Sequence, residues 1–144
     1  MVRVSFEEMK ETIKKAFMIA GMREDKAATC ARIHTETTLD GVNSHGINRV
    51  ERFVEYIHDK LIDIDAEPSL ELTLGALEIY NGNMGPGILN ALFAMERATA
   101  IAKQQGLGWV SLKNTTHWMR GGAYGWQAAE KGLDRKSTRL NSSH

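Results

Sequence analysis

His45 stands between Ser44 and Gly46, and Arg49 follows four residues later in the run LDGVNSHGINRVERF. If Ser44 caps a helix, His45 occupies its first turn and Arg49 lies one turn on, along the same face. Free backbone N–H groups and the positive end of the helix attract an anion there. The guanidinium adds a planar, permanently charged fork that matches a carboxylate. An imidazole beside that carboxylate can exchange a proton with the oxygen on the next carbon, which is the chemistry of a 2-oxo or 2-hydroxy acid. The helix end and Arg49 both push the ring towards neutrality, so a catalytic His45 calls for a nearby carboxylate, and Asp40 is the local candidate. The plainer reading makes His45 a first-turn polar residue with a capping role and Arg49 a solvated charge.

A second cluster lies in NTTHWMRGGAYGW, residues 114–126. It follows the apolar run GWVSL, so His117 and Arg120 fall on a strand-to-helix turn, where sites in α/β proteins collect. Gly121, Gly122 and Gly125 allow close backbone approach by an anion or by a packed helix. The structural alternative has Trp118, Tyr124 and Trp126 as core aromatics and the glycines as packing contacts.

Other patterns carry less. GNMGPGILN imitates a dinucleotide fingerprint, but Asn90 takes the place of the third glycine of G-x-G-x-x-G. His34 and His58 fall in mid-helix or at a helix end, as surface or satisfied histidines. His45, His117 and Asp40 could in principle hold zinc, yet no H-x-x-x-H or C-x-x-C spacing supports it, and no metal is expected. The methionines read as core filling.

These residues need elements to hold them. Ser5 and Glu8 form an S-x-x-E capping box, so a helix starts at Phe6, with Gly21 as its stop. A second helix runs from Glu24 to about Leu39, where Asp40-Gly41 signals a turn. Ser44 is expected to cap a third, with Ile47, Val50, Val54, Ile57 and Leu61 on one face. Past Pro68, LELTLGALEIYNG reads as two short strands around Gly75. GPGILNALFAMERATAIAKQQG reads as an amphipathic helix with Pro86 in its first turn and Gly106 at its stop. GWVSL is a buried strand, and MRGGAYGWQAAEKG leads into a last helix. The fold class is therefore α/β (α+β), with a helical segment over 1–67 followed by the beginning of a cofactor and substrate domain over 68–133.

Composition fits a globular protein and narrows its partners. The chain has 144 residues, and 18 Lys+Arg balance 18 Asp+Glu, which gives a nucleic-acid partner little electrostatic support. The longest apolar runs are too short to cross a membrane. A single cysteine, Cys30, excludes an internal disulfide and fits a reducing cytoplasm. The stretch DRKSTRLNSSH, residues 134–144, has one apolar residue and no periodicity. It resembles, letter for letter, the in-frame translation of a short-read sequencing adapter, and is read as non-native. The natural chain is thus expected to continue past Leu133. The chain as written is expected neither to turn over nor to bind a nicotinamide tightly. The strands LEIY and GWVSL are too few for an independent sheet, and the helix from Gly87 has little to pack on.

DGVNSHGINR together with NTTHWMRGGAYGWQAAEKG resembles the malate/L-lactate dehydrogenase family of NAD(P)-dependent oxidoreductases, over residues 1–133. The resemblance implies a helical segment followed by a non-Rossmann cofactor domain on a mostly antiparallel sheet. It also implies a homodimer with sites near the subunit interface. His45 then falls on the proton donor to the substrate carbonyl. Ser44, Arg49, His117 and Arg120 are candidates to hold a small 2-oxo or 2-hydroxy acid, with a sugar-derived acid favoured. The cofactor is NAD or NADP, its contacts expected mostly beyond Leu133. The alternative is a non-catalytic ligand-binding or assembly module, disfavoured if His45 and His117 converge on one cleft.

Overall fold

The structure is a computed structural model that describes residues 3–134. The tail read as non-native lies, apart from Asp134, outside the described residues.

Three helices open the chain: α1 (Phe6–Ile19), α2 (Glu24–Leu39) and α3 (Val50–His58). Ser5 Oγ accepts from the Glu8 N–H at 3.2 Å, as the capping box requires, and Gly21 takes a left-handed φ of 106° after the stop. Every third or fourth residue of α1 faces inward, burying Ile13 and Phe17 against Ala27, Cys30 and Ile33 of α2 and Phe53 and Ile57 of α3.

A three-stranded sheet follows, in the order β1 (Ser69–Leu74), β2 (Leu77–Asn81) and β3 (Trp109–Lys113). β1 and β2 form an antiparallel hairpin around Gly75, whose φ of 57° suits the tight turn. β3 returns parallel to β2 after the crossover helix α4 (Gly87–Gln105), so the described part of the sheet is mixed, with one antiparallel and one parallel pair. The last helix, α5 (Gly122–Ala129), packs on α4.

Two expectations change here. α4 does have partners within the chain: Ile88, Ala91 and Ile101 are buried, and the helix packs on β3, α5 and α2. Ile88 of α4 and Met119 of the loop before α5 join the core of the helical layer, so α4 shares one apolar interior with α1, α2 and α3. The third helix also starts later than Ser44. Asn43–His45 and Ile47–Arg49 form two 3-10 turns, and α3 begins only at Val50. Ser44 caps nothing, and Leu61 and Ile47 lie exposed rather than on an inward stripe. Tertiary contacts from α2 have overridden the local capping preference of the serine.

Candidate active site

The turn that carries His45 is moulded by α2. Asp40 ends the helix, Gly41 turns with φ 80°, and the Val42 N–H returns to the Thr37 carbonyl at 3.0 Å. The Gly46 carbonyl lies 3.0 Å from His34 Nδ1, and the Ile47 N–H donates to Thr38 Oγ1 at 2.8 Å. The N–H groups of His45, Gly46 and Arg49 are taken by Val42, Asn43 and Gly46 carbonyls. The free helix N-terminus expected at Ser44 is therefore absent.

Ser44 has a different task. Its Oγ lies 2.9 Å from His45 Nδ1, and its carbonyl accepts from Arg49 Nε at 3.2 Å. With Nε so used, Arg49 is oriented by the turn, and its two Nη groups have no hydrogen-bond partner among the described residues. Those two nitrogens form the end-on fork that a carboxylate accepts.

His117 comes from the other half of the chain. Its loop, between β3 and α5, is bounded by two non-glycine residues in the left-handed region, Asn114 (φ 48°) and Met119 (φ 63°). Such conformations cost energy and persist only where surrounding contacts impose them. Those contacts are visible. Asn90 Nδ2 donates to Thr115 Oγ1 at 2.7 Å and to the Gly82 carbonyl at 3.0 Å. Thr116 Oγ1 donates to the Gly85 carbonyl at 3.0 Å and accepts from the Gly87 N–H at 2.9 Å. The Tyr124 hydroxyl donates to the Trp118 carbonyl, and the two rings stack. Finally, the Met119 N–H donates to His117 Nδ1 at 2.8 Å.

The same contacts explain the failed dinucleotide fingerprint. The start of α4 is occupied by Thr116. A Cβ on Gly82 would meet Asn90 Nδ2, and one on Gly87 would strike the backbone of residues 116 and 117. These glycines admit the His117 loop, not a pyrophosphate, so the described residues do not form a dinucleotide cradle there.

The imidazoles of His45 and His117 meet with ring centroids 5.6 Å apart. His117 and Arg49 line one cleft with Arg52, Tyr56 and Thr116, backed by the buried Phe53, Ile62 and Met119. Arg52 and Tyr56 were not singled out from the sequence; they lie one and two helical turns after Arg49, and that i+3, i+7 spacing was the available signal.

Two other expectations are corrected. Asp40 is not the partner of His45. It forms an ion pair with Arg120, 80 residues away, and both line a second, broader hollow between α2 and α5. Arg120 thus lines that second hollow with Asp40 and is not among the residues lining the cleft of Arg49 and His117. With Asp40 so engaged, the three-residue zinc set does not assemble either.

Residues 4–134 match the malate/L-lactate dehydrogenase family. The chain belongs to that family. It is 47% identical over 131 residues to a 2,3-diketo-L-gulonate reductase of Pasteurella multocida, covering 91% of this chain and 40% of that protein. A reductase of the same name from Haemophilus influenzae is 43% identical over an equal span. Among solved structures, malate dehydrogenase from Pyrococcus horikoshii superposes with a TM-score of 0.88 at 27% identity, over 91% of this chain and 38% of that one. Sulfolactate dehydrogenase from Methanocaldococcus jannaschii gives 0.85 at 26% identity, over 89% and 37%. The chain therefore spans about two-fifths of the length of the curated relatives it matches. The described helices and sheet correspond to the part of the malate/L-lactate dehydrogenase fold that superposes, and no helix among them is long and apolar enough to cross a membrane.

Proposed function

We propose that this chain supplies the proton-donating and substrate-clamping side of an oxidoreductase that reduces the C2 carbonyl of a small 2-oxo acid. The observation that carries this reading is the meeting of two imidazoles with complementary hydrogen-bonding states beside a free arginine fork. His117 Nδ1 accepts the Met119 N–H, so its neutral ring carries the proton on Nε2. A proton on Nδ1 would displace that bond. With Nδ1 held by its own loop, the His117 ring has a fixed orientation on the wall of the cleft, from which it helps to hold the substrate. His45 has a hydroxyl at Nδ1, which can accept from the ring whether or not Nε2 is protonated. His45 can therefore lose and regain a proton at Nε2 with its orientation unchanged, as a general acid must.

Arg49 holds the carboxylate, His117 holds an oxygen of the substrate, and His45 protonates the oxygen that becomes the hydroxyl. Ser44 fixes both His45 and Arg49. A nicotinamide, NAD or NADP, would supply the hydride, and no described residue is assigned to it. The names of the relatives favour 2,3-diketo-L-gulonate or a related sugar acid, with malate- or lactate-type acids behind it. A cytoplasmic homodimer is the working assembly. Convergence of His45 and His117 weighs against a purely ligand-binding module.

The test is a hybrid in which the 131 matching residues of the Pasteurella multocida reductase are replaced by those of this chain. Reduction of 2,3-diketo-L-gulonate and of simpler 2-oxo acids is then followed by loss of NADH or NADPH absorbance. Turnover that disappears with Arg49→Ala is expected. Turnover unaffected by that change would remove the clamp from the proposal.

A further inference from the structure

His34 is completely buried on α2. The rings of Phe17 and Phe53 lie 5.6 and 5.8 Å from it, centroid to centroid. Its Nδ1 is 3.0 Å from the Gly46 carbonyl. A carbonyl can only accept, so Nδ1 carries the proton and the neutral ring keeps its lone pair on Nε2. That nitrogen is buried with no hydrogen-bond partner among the described residues. Buried acceptors are ordinarily satisfied, and an aromatic or aliphatic side chain would fill this space without leaving one unmet. Apolar packing alone gives no reason for a histidine here. The bond to Gly46 does.

Thr38 completes the arrangement one turn later on the same helix face. Its hydroxyl donates to the His34 carbonyl at 2.8 Å and accepts the Ile47 N–H at 2.8 Å. Gly46 C=O and Ile47 N–H belong to one peptide unit, so α2 grips both polar groups of a single peptide, the second one after His45. The grip is close. A Cβ on Gly46 would run into Thr38 Oγ1 and stand 2.8 Å from the Thr38 nitrogen. Nothing larger than glycine fits, and the turn has one register against the helix.

We propose that His34 and Thr38 are positioning residues for His45: by clamping the Gly46–Ile47 peptide from both sides they set the imidazole of His45 against that of His117. The consequence for turnover rests on the reaction proposed above; the placement of the ring does not.

The experiment compares three variants of the full chain. His34→Phe keeps an aromatic ring but offers no donor to Gly46. His34→Asn places an amide N–H near the position of Nδ1. Thr38→Val removes the hydroxyl at almost constant shape. The readout is the through-space NMR cross-peak between protons of the His45 and His117 rings in isotopically labelled protein, with a thermal melt to confirm cooperative folding. The cross-peak is expected in the parent chain and in His34→Asn, and its disappearance is expected in folded His34→Phe and Thr38→Val. A side chain with only a structural role would lower the melting temperature and leave the cross-peak in place. A folded His34→Phe that keeps the cross-peak overturns the proposal. Should His34→Phe not fold, Thr38→Val decides: disappearance of the cross-peak supports the clamp, and its persistence overturns it. Turnover of the hybrid carrying the same changes judges the proposed reaction alone, so the two ideas fail separately.

Discussion

Acid should destabilise this chain through one buried ring. Burial lowers the His34 pKa from 6.5 to about 4, with the Gly46 carbonyl working in the opposite direction. Between those values the unfolded chain binds a proton at this residue and the folded chain does not. Stability therefore rises with pH across that window, is fully present above about 6.5, and is lost as pH falls towards about 4. A difference of this size corresponds to roughly 3 kcal/mol in full, of which about 2 kcal/mol is gone by pH 5. That is a large share of the stability of a small domain, typically about 5–15 kcal/mol. The paired carboxylates also respond to acid, so the measurement must isolate His34. Urea unfolding of the parent chain and of His34→Phe, followed by far-UV circular dichroism at pH 7 and pH 5, does so by difference. The parent should lose about 2 kcal/mol more than the variant over that interval. Equal losses in the two proteins would refute the assignment of a neutral, buried His34.

Three further outcomes follow from the same geometry. Arg49→Lys in the hybrid keeps the charge but loses the end-on fork, so kcat/KM for the 2-oxo acid should fall at least about tenfold, roughly 1.4 kcal/mol, with KM for the nicotinamide unmoved; a shift confined to the cofactor constant would place Arg49 in the wrong site. Gly46→Ala forces a methyl into Thr38 and should cost about 1–3 kcal/mol in urea unfolding, against a negligible change if the turn has room. Glu78, held below the usual carboxylate range first by its hydrogen bonds from Arg97 and further by the Tyr80 hydroxyl, should resist protonation until acid passes well below that range; Glu78→Gln should lower stability by about 1–3 kcal/mol at pH 7, read by the same unfolding, and should remove that low-pH response.

The parts of the fold legible in the sequence were those decided locally. The capping box at Ser5, the Asp40-Gly41 end of α2, the hairpin at Gly75 and the Gly106 stop of α4 each depend on residues within a turn of one another. Of the candidate site residues named from the sequence, the His45 and His117 rings lie against each other and Arg49 and His117 line one cleft. What failed depended on contacts between distant segments. Ser44 has an N-cap's chemistry, but His34 and Thr38 on α2 capture the Gly46–Ile47 peptide first and draw the turn into a different shape. Asp40 is near His45 in sequence, yet Arg120 from the far end of the chain claims it. Asn90 rightly discounted the dinucleotide fingerprint, but its own task was not legible. Its replacement of a fingerprint glycine marks not a weakened cofactor loop but the staple that fixes the His117 loop.

The decisive comparison separates the two imidazoles by role. In the hybrid, His45→Asn and His117→Asn are compared for kcat and KM with 2,3-diketo-L-gulonate, with folding checked by thermal melts. His45→Asn is expected to lower kcat by about 10²–10⁴-fold, the usual worth of a general acid, with little change in nicotinamide affinity. His117→Asn, which retains a donor, should act mainly through KM. A near-normal kcat in His45→Asn, with the larger kcat loss in His117→Asn, would contradict the roles assigned to the two rings.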